Sequence, residues 1–193
     1  MSKLVGLSGS LRKGSFNTAV LKFAESAFPD DFELGSIEGI PLYNADEEAA
    51  HGIPQPVEAL KSLISSSRGL VLASPEYNNS IPGVFKNALD WLSRPPADIP
   101  AVFHHRPVAI LGATPGGFGT VLAQNAWLPV LRTLKMRPWF DGRLMISGAH
   151  KLVDDQGNLI DPDIQNRITS FIEGFLAFSR DQAGPGVANA PSR

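Results

Sequence analysis

The chain contains no cysteine. That absence excludes disulfides, thiolate metal centres, cysteine nucleophiles and dithiol redox chemistry together. No apolar run approaches the ~20 residues that a membrane-spanning helix needs. Charge is sparse and nearly balanced: 19% of residues are charged and the formal net charge is -2. There is accordingly no basic footprint for nucleic acid, and not the strongly acidic balance that some small electron carriers use for steering. Several motifs are missing as well. No G-x-x-x-x-G-K-[ST] is present, Gly6, Gly9 and Gly14 do not fit G-x-G-x-x-G, and no G-x-S-x-G follows a strand. His104-His105 lacks the i, i+4 spacing and a third ligand, so no metal site is expected. Met1-Ser2-Lys3-Leu4-Val5 enters a strand pattern without the features of a secretory signal, which makes the cytoplasm the expected location.

What remains is a globular composition, 193 residues with 43% hydrophobic, enough for one domain with a real core. Apolar patterns alternate between the two regular periods. Strands are expected at Lys3–Ser8, Phe32–Ile37, Gly69–Ser74 and Pro107–Ala113, with a fifth between Met136 and Ile146. Helices are expected at Asn17–Phe28, from Pro54 to about Ser66, at Val84–Ser93, at Val121–Leu134 and at Pro162–Phe178. Asp46-Glu47-Glu48 and Arg94–Pro100 read as loop, and Pro129 is expected to kink or restart the fourth helix. Alternating strands and helices predict a doubly wound α/β fold. Its five-stranded parallel sheet, in order 2-1-3-4-5, carries helices on both faces and has its ligand crevice outside the carboxyl ends of strands one and three. Residues 1–180 form the expected domain and 181–193 a mobile tail rich in Pro, Gly, Ala and Asn.

Three unusual loops leave the same carboxyl edge of that sheet. Ser8–Asn17 combines short hydroxyl and amide side chains, two glycines, Arg12 and Lys13 just before a helix, a set suited to a phosphate. Pro75–Gly83 offers backbone amides, the Tyr77 ring and polar ends. Thr114–Thr120 offers glycine backbone and Phe118. A phosphorylated, planar ligand suits this set better than a free anion. Within it, the backbone of Glu76 rather than its carboxylate is the expected contact, and Tyr77 reads as a pocket wall. Trp91, Trp127 and Trp139 read as core or interface residues, Trp127 being the one placed to border a neighbouring subunit. Asp154-Asp155 and Asp161-Asp163 read as turn and helix-start acids.

The stretch Gly9-Ser10-Leu11-Arg12-Lys13-Gly14-Ser15-Phe16-Asn17, together with Ser74-Pro75-Glu76-Tyr77-Asn78-Asn79-Ser80-Ile81-Pro82-Gly83-Val84-Phe85-Lys86-Asn87-Ala88-Leu89-Asp90-Trp91, resembles the NADPH-dependent FMN reductase family. That group includes bacterial quinone, chromate and azo-dye reductases of flavodoxin-like fold. The resemblance implies bound FMN, oxidation of NADPH or NADH, and ping-pong transfer to quinones, free flavin, azo compounds or chromate. It also implies a homodimer or homotetramer with the third and fourth helices at the interface. Carried over by motif, Ser10, Arg12, Ser15, Phe16 and Asn17 would hold the FMN phosphate. Pro75, Glu76, Tyr77 and Asn78 would line the ribityl chain and ring with Ser80 close by, and Gly116, Gly117 and Phe118 match the third loop more loosely. No residue is expected to act as a catalytic acid or base, since the cofactor supplies the chemistry. The alternatives on the same fold are a flavodoxin-type electron carrier without its own NAD(P)H oxidation and a phosphate-ligand sensor.

Overall fold

A computed structural model describes residues 2–180; the expected tail, 181–193, lies outside the described residues. The sheet is built from β1 (Leu4–Ser8), β2 (Phe32–Gly35), β3 (Gly69–Ala73), β4 (Pro107–Ala113), β5 (Arg137–Pro138) and β6 (Leu144–Ile146). Its order is β2-β1-β3-β4-β5, with β6 also paired to β4, and every pairing is parallel. The doubly wound order is therefore the expected one. The fifth position differs in being two short strands: β5 pairs with Pro107 and Val108, and β6 with Leu111 to Ala113. Four steps along β4, from 107 to 111, are matched by seven, from 137 to 144, so the intervening segment leaves the sheet. Trp139 explains the detour. Its indole packs on Phe171 and Phe175 at 5.1 and 5.6 Å, in a slot where a Cβ on Gly142 would lie 2.2 Å from the ring.

Alternation along the central strands divides the core in two. Leu4, Val71, Ala73, Ala109 and Leu111 face α1 (Phe16–Ala27) and α7 (Pro162–Arg180). Val5, Leu7, Leu70, Leu72 and Val108 face α3 (Gln55–Ser66), α4 (Gly83–Leu92) and α6 (Val121–Thr133). β3 is buried over its whole length, as the middle of such a sheet must be. Among the described residues no helix is long and apolar enough to cross a membrane.

Two expected loops contain helix. Residues 45–51 form α2 (Ala45–His51), capped by the Asn44 side chain, which accepts from the Asp46 N–H at 3.0 Å. The segment after Arg94 contains a 3₁₀ turn at Pro96–Asp98 and α5 (Ile99–Val102). Pro129 does not break α6, which runs through it. Pro129 and Asn125 both lie on the exposed side, so water can take the Asn125 carbonyl that proline leaves without a donor. At α7, Asp161 accepts the Ile164 N–H at 2.9 Å, the helix-start role expected of that acid.

Candidate functional site

The first loop is pinned before it reaches α1. The Gly9 N–H donates to the Ala73 carbonyl at 2.9 Å, tying the loop to β3. A Cβ on Gly9 would lie 2.3 Å from Phe85 and 3.0 Å from Pro75, so only glycine lets the first loop pass so close to the second. Thr18 Oγ1 donates to Ser8 Oγ at 2.8 Å, and Ser15 caps α1 by accepting the Thr18 N–H at 3.2 Å. The helix carries no acid in its first turn. The N–H groups of Phe16 and Asn17 find no acceptor among the described residues, as first-turn donors do unless something outside the helix takes them. Arg12 is exposed, its guanidinium 4.8 Å from the centre of the Phe16 ring.

Asn17 does something its position in the motif did not disclose. The residue is 3% exposed. Nδ2 donates to the Ala113 carbonyl and Oδ1 accepts the Ala113 N–H, both at 2.9 Å. This two-point clasp fastens α1 to the end of β4, and it leaves the backbone N–H of Asn17 and the second Nδ2 hydrogen for a ligand.

The second loop is held at three points. At its base, Trp127 Nε1 donates to Ser74 Oγ at 2.9 Å, and Ser74 Oγ donates to the Pro75 carbonyl at 3.0 Å. Trp127 is fully buried; the expectation that it borders a neighbouring subunit is corrected, because its indole closes the core beneath this loop and packs edge-on against Phe85 at 5.0 Å. In the middle, Glu76 Oε2 accepts the N–H groups of Leu122 and Ala123 at 2.9 and 3.0 Å. At the tip, Tyr77 and Ser80 exchange two backbone bonds across Asn78 and Asn79, whose φ values are 50° and 61°. Positive φ at both central residues is the signature of a type I′ turn, for which asparagine is well suited. Ser80 and Asn78 are exposed at this tip.

The loops meet in a cleft of about 450 Å³, within the usual range for small-molecule sites. Ser10, Arg12, Ser15, Phe16 and Asn17 line it from the first loop, and Pro75, Glu76 and Tyr77 from the second. The third contributes Ala113, Thr114 and Pro115, none of which was expected individually. Gly116, Gly117 and Phe118 lie beyond Pro115 on the exposed side, with Phe118 80% exposed, and Asn78 and Ser80 are likewise outside the lining. The third loop runs past the cleft because Thr114 and Gly116 bond to the chain at Ile146–Ala149: Thr114 N–H to the Ile146 carbonyl at 2.9 Å and Ala149 N–H to the Thr114 carbonyl at 3.0 Å.

The donor set fits a phosphorylated planar ligand. The first loop and the start of α1 offer free helix-start N–H groups, the Ser10 and Ser15 hydroxyls and a guanidinium, all suited to an anion. The second and third loops add Pro75, Tyr77, Ala113 and Pro115 to the lining, flat or small apolar groups against which a ring can lie.

A fourth segment supports this edge from outside. Asn87 Nδ2 and Trp91 Nε1, both on α4, donate to the Pro41 carbonyl at 2.8 and 2.9 Å, and Asn87 Oδ1 accepts the Tyr43 N–H at 2.9 Å. Arg94 Nε reaches Glu48 Oε2 at 2.9 Å, and Tyr43 Oη donates to the same oxygen at 2.9 Å. The Arg94 hydrogen bond holds the Glu48 carboxyl below its ordinary value, with Tyr43 adding to the effect, while the bond to Glu48 raises the Tyr43 phenol.

Comparison with known proteins agrees with this geometry. The family profile of NADPH-dependent FMN reductase matches residues 2–151. An NAD(P)H-dependent FMN reductase of Pseudomonas aeruginosa is 41% identical over 184 residues, covering 94% of this chain and 97% of the relative. A quinone reductase of Escherichia coli is 38% identical over 180 residues, covering 91% and 94%. Among solved structures, the flavoenzyme NAD(P)H:(acceptor) oxidoreductase FerB of Paracoccus denitrificans superposes with a TM-score of 0.81 at 28% identity, covering 94% of this chain and 98% of that one.

Proposed function

The chain belongs to the NADPH-dependent FMN reductase family, and on that premise we propose how its own residues serve an FMN-dependent NAD(P)H oxidoreductase that reduces quinones and similar small-molecule acceptors. Residues 1–180 act as one FMN-binding unit. The observation that carries the reading is the convergence of three strand-end loops in one cleft lined both by anion donors, Ser10, Arg12, Ser15 and the start of α1, and by flat or small apolar groups, Pro75, Tyr77, Ala113 and Pro115.

In this reading Ser10, Ser15, Arg12 and the backbone N–H groups of Phe16 and Asn17 hold the phosphate. The hydroxyls and amides set its position, and the guanidinium leaves the Phe16 ring to add charge. Pro75, Glu76 and Tyr77 border the ribityl chain and ring, with Asn78 and Ser80 at the tip of the same turn. The N–H of Tyr77 is spent on Ser80, so within Glu76–Asn78 the backbone donors left for the ring edge are those of Glu76 and Asn78. Such donors stabilise negative charge that builds on the ring when it is reduced. Gly116, Gly117 and Phe118 form an outer rim that an arriving nicotinamide or quinone passes. When bound, FMN accepts hydride from NAD(P)H and delivers electrons to the acceptor. With Pro75, Tyr77 and Pro115 bordering the cleft, NAD(P)H and the acceptor would reach the held cofactor in turn through the same opening, and turnover would be ping-pong.

The purified protein, loaded with FMN and mixed with NADPH without oxygen, is expected to bleach rapidly and to recover its colour on adding a quinone. A yellow protein that bleaches only with dithionite identifies an electron carrier instead.

A homodimer or homotetramer, with α4 and α6 at the interface, is part of the same proposal. Support comes from exposed apolar side chains on the carboxyl edge and the start of α6: Tyr77 is 50% exposed, Phe118 80% and Leu122 45%. Residence in the cytoplasm is likewise proposed.

A further inference from the structure

We infer that Glu76 is a positioning residue: its carboxylate, clipped to the first turn of α6, fixes the orientation of the backbone N–H groups that the second loop offers to the planar end of the cofactor. The inference rests on the FMN reading above.

The start of α6 is incomplete without Glu76. Its N-cap residue, Thr120, sits at φ 66° and makes no side-chain cap bond. The Thr120 hydroxyl is turned onto the sheet instead, where a Cβ on Gly112 would lie 1.8 Å from it, and it accepts from Gln124 Nε2 at 3.3 Å. No acid stands in the first turn. The second and third N–H groups of the helix would be left to solvent, and both are taken by one oxygen of a residue 46 and 47 positions earlier in the chain. A carboxylate at this end is also favoured by the helix dipole.

The loop has the complementary need. Pro75 has a fixed φ and no N–H, and Tyr77 is locked by its reciprocal bonds to Ser80. Between these two fixed points Glu76 is the residue whose rotation would swing the loop's free N–H groups. Bonding its side chain to α6 removes that rotation. The arrangement has an electrostatic benefit as well. A loose glutamate beside the ring would oppose the negative charge gained on reduction, whereas one neutralised by a helix N-terminus opposes it less.

Dissociation constants for FMN and for riboflavin, the bound-flavin absorbance spectrum, and thermal unfolding of the flavin-free protein should be measured for wild type, Glu76→Gln, Glu76→Ala and Glu76→Ala combined with Val121→Asp. Glu76→Gln keeps an oxygen acceptor for both N–H groups and is expected to bind both flavins within about threefold of wild type, well under the 1.4 kcal/mol of a tenfold change. Glu76→Ala is expected to weaken FMN and riboflavin alike by roughly tenfold or more and to blur the vibronic structure of the bound-flavin band. Val121→Asp supplies an acid within the helix's own first turn. It is expected to restore thermal stability to the alanine variant without restoring flavin affinity. Wild-type affinity in Glu76→Ala, equal losses in Gln and Ala, or recovery of affinity along with stability in the double variant would each overturn the inference. Failure of the wild-type protein to bind either flavin would instead overturn the FMN reading on which it rests.

Discussion

Individual residues here divide into those whose role could be read locally and those whose partner is far away in the chain. Ser15, expected to hold the phosphate, is also the cap of α1, a task a serine before an apolar-periodic run can take by position. Arg12, proposed for the phosphate, stands exposed beside the start of α1. Arg12→Ala is expected to weaken FMN roughly tenfold to a hundredfold, the ~1.5–3 kcal/mol of a charge-assisted hydrogen bond, and to leave riboflavin affinity unchanged; flavin titration by fluorescence reads both. Asn17 belongs to the second kind. Its place in the motif suggests a phosphate contact; its amide also clasps Ala113, 96 residues away, and no local pattern discloses such a pair. Asn17→Ala removes two buried bonds and leaves both polar groups of Ala113 without partners. A loss of about 2–5 kcal/mol in folding stability is expected, measured by chemical denaturation of the flavin-free protein.

Among elements, long periodic ones were legible and short ones were not. The buried stripe of α7 and the wholly apolar β3 show in the sequence because each feeds a layer of core. α2 has no buried residue, so it has no hydrophobic period to detect. Its one local sign is Asn44 followed by Asp46, Glu47 and Glu48, a cap with acids in the first turn. The motif Asn87–Trp91 was legible as important, but its visible work is to fasten the Pro41–Tyr43 segment to α4, a task defined by contacts 44 to 50 residues apart. The ion pair that completes this fastening gives a pH signature. Glu48 has its folded value depressed by Arg94, so it contributes stability above the ordinary glutamate range. That contribution is lost as the pH falls through the lowered folded value. Hydrogen exchange of residues 38–51 is expected to accelerate relative to the rest of the chain as the pH is lowered into the acid range. Arg94→Ala should abolish this pH dependence, with exchange already fast at neutral pH.

At the scale of the whole molecule, the doubly wound order follows from alternating strand and helix patterns plus crossover handedness, and the order then fixes which loops share an edge. The order thereby sets the place of the cleft, outside the carboxyl ends of β1, β3 and β4. The reach of each loop beyond the sheet was not legible. Pro115 stays in the cleft while Gly116 to Phe118 pass outside it, because Thr114 is tied to Ile146 and Ala149 by backbone bonds that sequence patterns do not encode. With Tyr77, Phe118 and Leu122 exposed along this edge, the protein is expected to sediment as a dimer or tetramer at micromolar concentration. Replacing Leu122 with a charged residue should shift it toward monomer, read by analytical ultracentrifugation. A wild-type protein that is monomeric throughout that range would argue against the proposed interface.

The divided fifth strand has a consequence for how such a chain can change. Because β5 and β6 each keep their own register with β4, the residues between them can grow in number without shifting either. Lengthening a flexible loop costs only about 0.6 kcal/mol per doubling. Phe140 and Asp141, exposed just past the anchored Trp139, therefore mark a natural port for insertion, where evolution or an engineer could splice in a recognition segment and leave the three loops of the cleft untouched.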